Sequence, residues 1–335
     1  FPETASMEWN VHHRNLIVLT LAALLLWGCA SMRNAYTDHV RGPWYMNQGK
    51  YKEGLAAFGP ELEANPESWE TAYWMGRYHL ALNQPEAATP LLERAVRLEP
   101  GDAEAHYWLG VSYWAQGQWA KERAEYEKTL ALDKDNLGAN LYLGHNYLDQ
   151  GEWNKALAQY DTVLRLDDEQ PEALYNRAVA LDNLNRTAET RLAWKAFLDL
   201  HPEGGMALAA ADQLNGLGDF SYRNVLVGQR RVTLARIEFD TRGEVAAQSR
   251  PSLELIGAML ANNKDLVLHV VAYVDGEPST AKARSKAVQR AILAGTDGLE
   301  ARRLPLSWFG SAEKVRAGGR TWSLKESVNF VTQVP

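Results

Sequence analysis

A single cysteine, Cys29, and eight histidines are the side chains on which most covalent or metal chemistry would depend. One thiol excludes an intramolecular disulfide and any zinc site built from paired cysteines. The histidines are scattered; His12 and His13 lie near the start, and His145 has no second ligand at metal spacing. No phosphate-cradling glycine loop, His-Glu-x-x-His or Gly-x-Ser-x-Gly pattern occurs. The adjacent acids Asp167 and Asp168 fall in a predicted turn, where solvated carboxylates are ordinary. Catalysis needs a nucleophile, or an acid and a base, brought together, and nothing in the sequence nominates one. The expectation is a protein without enzymatic activity, metal or cofactor.

The elements must therefore be built for holding rather than reacting. At 335 residues and 46% hydrophobic, the chain is long enough for two domains. With 23% charged and 10% aromatic residues it is neither disordered nor collagen-like. The net charge of −7 argues against a nucleic-acid binder. From Asp219 onward there are 17 Lys and Arg against 12 Asp and Glu; the preceding part carries 18 against 30. An acidic part joined to a basic part points to different partners for the two.

Phe1–Ser6 is set aside, either as an added remnant or as a translated stretch upstream of a start at Met7. His12, His13 and Arg14 then precede an uncharged run, Leu16 to Trp27, that is shorter than the roughly 20 residues a spanning helix needs. The run ends in Leu26-Trp27-Gly28-Cys29-Ala30-Ser31, which resembles a bacterial lipobox, although Trp27 stands where a smaller residue is usual. The resemblance makes residues 1–29 a signal peptide with its lipobox and implies that Cys29 is diacylated and becomes the new N-terminus, and Ala30 behind it implies delivery to the outer membrane. More than one acyl chain gives a stable anchor.

A period of 34 residues fills the next stretch. Gly76, Gly110, Gly144 and Ala178 share one place in it, and Gly49, Asn83, Gly117, Gly151 and Asn185 another. Each unit reads as two amphipathic helices broken at Gly or Asn, where a left-handed turn is needed. Leu109-Gly110-x-x-Tyr113 with Gly117-x-Trp119 carries the tetratricopeptide signature most fully. Residues 30–34 are a tether, 35–204 hold five repeats, and 205–218 form a capping helix and linker.

Resemblance to tetratricopeptide proteins implies a groove lined by the first helix of each pair, holding an extended peptide or a partner helix. The lining positions carry over to Tyr73, Arg77 and Leu80, then Tyr107, Val111 and Trp114, then Leu141, His145 and Leu148, then Tyr175 and Val179. The clamp for C-terminal carboxylates used by some relatives needs Lys and Asn where Tyr and Val stand here.

From residue 219 to 335 the period changes. Arg231–Phe239, Leu266–Val274, Leu304–Gly310 and Glu326–Gln333 read as strands, and Pro251–Asn262 and Ala281–Leu293 as helices. Ser249 is the expected cap of the first of these helices. The expected fold is thus an all-α solenoid followed by an α+β domain of order β-α-β-α-β-β, with helices on one face of a sheet. Ile237-Glu238-Phe239-Asp240-Thr241, Val270 to Gly276, Arg284 with Val288, and Phe309-Gly310 resemble motifs of the OmpA-like domain. That resemblance implies binding to the peptidoglycan stem peptide, with Asp275 taking an ammonium and Arg284 a carboxylate. Departures are Tyr273-Val274-Asp275 in place of His-Thr-Asp and a shortened segment between Asp275 and Arg284. Two alternatives stand beside it: a protein-docking module that has lost wall binding, and a wall-processing hydrolase.

Overall fold

The structure, a computed structural model, describes residues 40–333. Cys29 and the segment around it lie outside the described residues. Among the described residues no helix is long and apolar enough to cross a membrane.

The helical part begins with the short α1 (Gly42–Asn47) and continues as α2 (Tyr51–Ala64), α3 (Trp69–Ala81), α4 (Pro85–Leu98), α5 (Ala103–Ala115), α6 (Trp119–Leu132), α7 (Leu137–Asp149), α8 (Trp153–Leu166), α9 (Pro171–Asn183), α10 (Thr187–Leu200) and α11 (Gly204–Gly216). The hairpin turns sit where the period places them. Gly49, Asn83, Gly117, Gly151 and Asn185 all have φ between 57° and 73°, the left-handed region that side chains other than Gly and Asn resist. The entry to the first helix of the second to fifth repeats uses a device of the same period. Ser68, Asp102, Asn136 and Gln170 accept a hydrogen bond from the backbone N–H three residues on, in α3, α5, α7 and α9.

The small-residue position lets paired helices close. A Cβ on Gly76 would stand 2.6 Å from Leu92 Cγ, and one on Gly110 would stand 2.5 Å from Tyr126 Cε1. In the third repeat a buried polar bridge adds to this packing. His106 Nδ1 lies 2.6 Å from Glu125 Oε2, and Lys128 Nζ donates to Glu125 Oε1 at 3.0 Å. Burial raises the Glu125 carboxyl, but the hydrogen bonds from His106 and Lys128 outweigh it and hold the group below its ordinary value.

The chain divides into two compact units, one ending at Asn146 and the other starting at Tyr147. The first has its core around Phe58, Tyr78, Leu92, Leu109 and Tyr113. In the second, one core runs from Leu157 through Trp194, Phe197, Ala210 and Leu214 to Tyr222. The helix expected as a cap, α11, therefore covers the last repeat on one side and meets the following strands on the other.

Those strands are β1 (Tyr222–Val227), β2 (Arg230–Ala235), β3 (Leu268–Val274), β4 (Leu306–Phe309), β5 (Glu313–Ala317), β6 (Arg320–Leu324) and β7 (Glu326–Thr332), with α12 (Arg250–Asn262) and α13 (Pro278–Ala294) among them. The main sheet has order β4-β3-β7, β3 being parallel to β4 across α13 and antiparallel to β7. The pairs β1-β2 and β5-β6 are separate antiparallel hairpins. Leu253, Ile256 and Leu260 of α12 and Val288 and Ile292 of α13 pack with Leu268, Val270 and Phe330 of the sheet.

The expected order is present, with three additions and two corrections. Strand β1 and the hairpin β5-β6 were not expected. The strand expected over Arg231–Phe239 ends at Ala235. Ser249 does not cap α12 through its side chain; its Oγ accepts from Glu238 N at 2.8 Å and donates to Arg236 O at 3.3 Å. It thus secures the loop that leaves β2.

Two glycine substitutions should move stability in opposite directions. Gly110→Ala forces a methyl into the Tyr126 ring and should cost about 1–3 kcal/mol in urea unfolding. Gly59→Ala, in α2 with nothing within 4 Å of the added Cβ, should gain about 0.5–1 kcal/mol. A second expectation concerns acid. Glu125 has a lower pKa folded than unfolded, so its contribution is complete above about pH 4.5 and is lost as pH falls through the folded value. Unfolding midpoints of Glu125→Gln should show a shallower acid-side loss than those of the wild type.

Candidate functional site

The first helices of the second and third repeats, α3 and α5, present an aromatic face within the first unit. Tyr73 is buried at 5% exposure, and burial pushes its hydroxyl pKa up. Its oxygen accepts from Arg77 Nη1 at 3.1 Å. The Arg77 guanidinium lies 4.2 Å from the Trp108 ring centre, 4.8 Å from Trp74 and 5.5 Å from Tyr73. Such contacts over a ring face are worth about 0.5–2 kcal/mol each, depending on desolvation. Trp108 is itself oriented, since its Nε1 donates to Glu104 Oε2 at 3.1 Å, and Asn136 Nδ2 donates to the other oxygen of that carboxylate.

Further along the face, Tyr107 lies 6.0 Å from Tyr126 and 6.3 Å from Tyr142. Burial pushes the Tyr107 hydroxyl up too. Trp114 is 50% exposed and reaches Tyr142 at 6.4 Å, and His145 meets the same ring edge-on at 5.7 Å. Tyr73, Arg77, Tyr107, Trp114 and His145 thus belong to one chain of ring and cation contacts. Sequence reading missed the residues that link them: Trp74, Trp108 and Tyr142. Their signal was available, because the three are spaced at the repeat period and each sits one place after a lining position.

Tyr175 belongs to the second unit. It lies edge-on to Trp194 at 4.9 Å and to Phe197 at 5.5 Å, and it packs beside the core with Leu148 and Val179. These three lining positions are engaged in holding α9 against its neighbours.

In the C-terminal region, Asp275 stands exposed at the end of β3, with its backbone N donating to Lys325 O at 2.7 Å. Arg284 lies in the second turn of α13, ion-paired with Glu326 at the start of β7 and 4.8 Å above the Phe239 ring. Burial lowers its pKa, with Glu277 opposing and Arg236 adding to the shift. Among the described residues no hydrogen bond or ion pair joins Asp275 to Arg284. The two side chains expected to act together have different neighbours. Around Asp275 the exposed rings are Trp308, with Lys282 Nζ 4.7 Å above it, and Phe309, stacked on Tyr273 at 5.0 Å. No group of three or more metal-ligating side chains occurs among the described residues.

Comparisons with known proteins bear on the helical part. Tetratricopeptide repeat profiles match residues 41–88, 73–136 and 172–204, and a TPR repeat profile matches 144–184. No curated protein matches the sequence. Among solved structures, Pseudomonas aeruginosa pilF is similar at 15% identity over 70% of this chain and 93% of that one, with a TM-score of 0.51. MamA is similar at 22% identity over 49% and 92%, with a TM-score of 0.45. YrrB, described as a TPR protein with an unusual peptide-binding site, is similar at 18% identity over 54% and 96%, with a TM-score of 0.47. At these identities the likeness speaks for fold alone. Paired helices at the repeat period, glycine or asparagine at the hairpin turns and the matching profiles mark residues 41–136 and 144–204 as tetratricopeptide repeats.

Proposed function

We propose that the protein is a scaffold of a bacterial envelope, tethered to the outer membrane through acylated Cys29, that holds a protein partner on the face of α3 and α5. The observation that carries the partner reading is the exposed Trp114 at the end of a continuous run of rings that also contains an arginine. Exposed tryptophan beside arginine and tyrosine is the composition of interface hot spots. In this reading the C-terminal domain is a second docking module, and the internal pairing of Arg284 with Glu326 supports it. Binding of the peptidoglycan stem peptide by Asp275 and Arg284 is the second reading. The exposure of Asp275 at a strand end favours it, and it requires Glu326 to release the guanidinium.

Two experiments test these readings. A photocrosslinking residue in place of Trp114 should give a discrete protein adduct in cells that Tyr107→Ala weakens; the same residue in place of Leu132 should not. Equal labelling at both positions would remove the partner face. Sedimentation with purified peptidoglycan separates the two readings of the C-terminal domain. Docking without wall binding predicts no retention, or retention unchanged by Asp275→Ala and Arg284→Ala. Stem-peptide recognition predicts losses with both, and a gain with Glu326→Gln.

A further inference from the structure

We infer that the partner held on the α3 and α5 face presents one carboxylate and, separately along it, a large apolar side chain, the carboxylate pairing with Arg77 and the apolar group packing on Trp114 and Tyr142. The inference rests on the reading of that face as a protein-binding surface.

Arg77 is the reason for the carboxylate. A guanidinium carries five N–H donors. Here Nη1 donates to the Tyr73 hydroxyl, while Nε is buried without a hydrogen-bond partner. Among the described residues no carboxylate lies within ion-pairing distance of it. Arg41, Arg223 and Arg284 are by contrast paired with Glu61, Glu313 and Glu326. The carboxylate of Glu104 accepts from Trp108 and Asn136. Three rings hold the guanidinium plane in place, so a partner carboxylate would meet a positioned fork rather than a mobile chain.

Trp114 and the surrounding charge limit what else the partner can be. With half its surface exposed and Tyr142 beside it, Trp114 offers an apolar seat on the same face. Residues 40–146 carry 15 Asp and Glu against 10 Lys and Arg. A strongly acidic segment would be repelled by that surplus, so the fitting sequence has an isolated acid among apolar residues.

Random peptides displayed on phage and selected on the full chain test this. Wild type should enrich peptides with a single Asp or Glu at a fixed spacing of a few residues from Phe, Trp or Leu. A synthetic copy of the leading peptide should bind about tenfold or more weakly when its acid is changed to the amide, a change that leaves the protein untouched. Arg77→Gln should produce a similar loss, and Arg77→Lys should restore binding only in part. Peptides that lose binding with Trp114→Ala but carry no enriched acid, or that ignore Arg77→Gln, would overturn the inference and leave the binding face standing. Failure to select any peptide that depends on Tyr107 and Trp114 would overturn both.

Discussion

The helical part depends on a steric allowance repeated through the chain: the first helix of a pair presents at most a methyl group where the second helix must touch it. At Gly76 that space is filled by Leu92, and at Gly110 by the ring of Tyr126. A hairpin of two short helices buries too little apolar surface to be stable alone, so its helices must approach closely and then stack on the next pair. Close approach also fixes the rotation of the first helix about its axis. Once the glycine faces the second helix, residues three before and one after it, such as Tyr73 and Arg77, are directed along the neighbouring face. The ring contacts around Arg77 follow from that rotation. They bring Trp74 and Trp108, one repeat apart, against the same guanidinium.

The second unit is organised differently, around polar anchors. Glu313 of β5 receives both ends of the Arg223 guanidinium at 2.8 and 3.0 Å, and also the Ser327 hydroxyl at 2.7 Å. A carboxylate so enclosed ties β1, β5 and β7 into one assembly, since an uncompensated charge there would be strongly unfavourable. The capping helix joins the same assembly. Asn215 Nδ2 donates to the carbonyl of Tyr222, and the Gly318 backbone comes against Gly216, where no side chain fits. The change of period near residue 218 marks a change of secondary structure, while the core continues through Tyr222.

This explains what could be read from the sequence and what could not. Repeat length and turn residues are local and periodic, so they were legible. The expected strands and helices of the C-terminal domain were legible where apolar runs were long, as in β3. Strand β1 was missed because Arg223 and Asn224 interrupt its apolar residues, and only the pairing with Glu313 makes an arginine acceptable there. The β5-β6 hairpin had a turn signal in Gly318-Gly319, both at positive φ, but its strands are too polar to show a buried face. Ser249 was misread because a serine before a helix is usually a cap, and a tertiary loop here competes for its hydroxyl. The pairing of Arg284 depended on β7, a partner distant in sequence that no local pattern announces.

Arg223, Arg284 and Arg77, all partly buried, then differ in a way that bears on function. Arg223 has its carboxylate in a fixed, bidentate arrangement, which is the signature of a structural tie. Arg284 has Glu326 and a ring, so any outside acid must compete with a tethered one at high effective concentration. Arg77 has rings and one hydroxyl. Burying a guanidinium without a counter-charge is unfavourable, and ring contacts offset only part of that cost. Selection for stability alone favours an acid beside it or an apolar residue in its place. A residue kept in that state within a half-buried aromatic face that ends in an exposed tryptophan is best explained by what arrives there, since an incoming carboxylate supplies the interaction that the isolated chain leaves unmade.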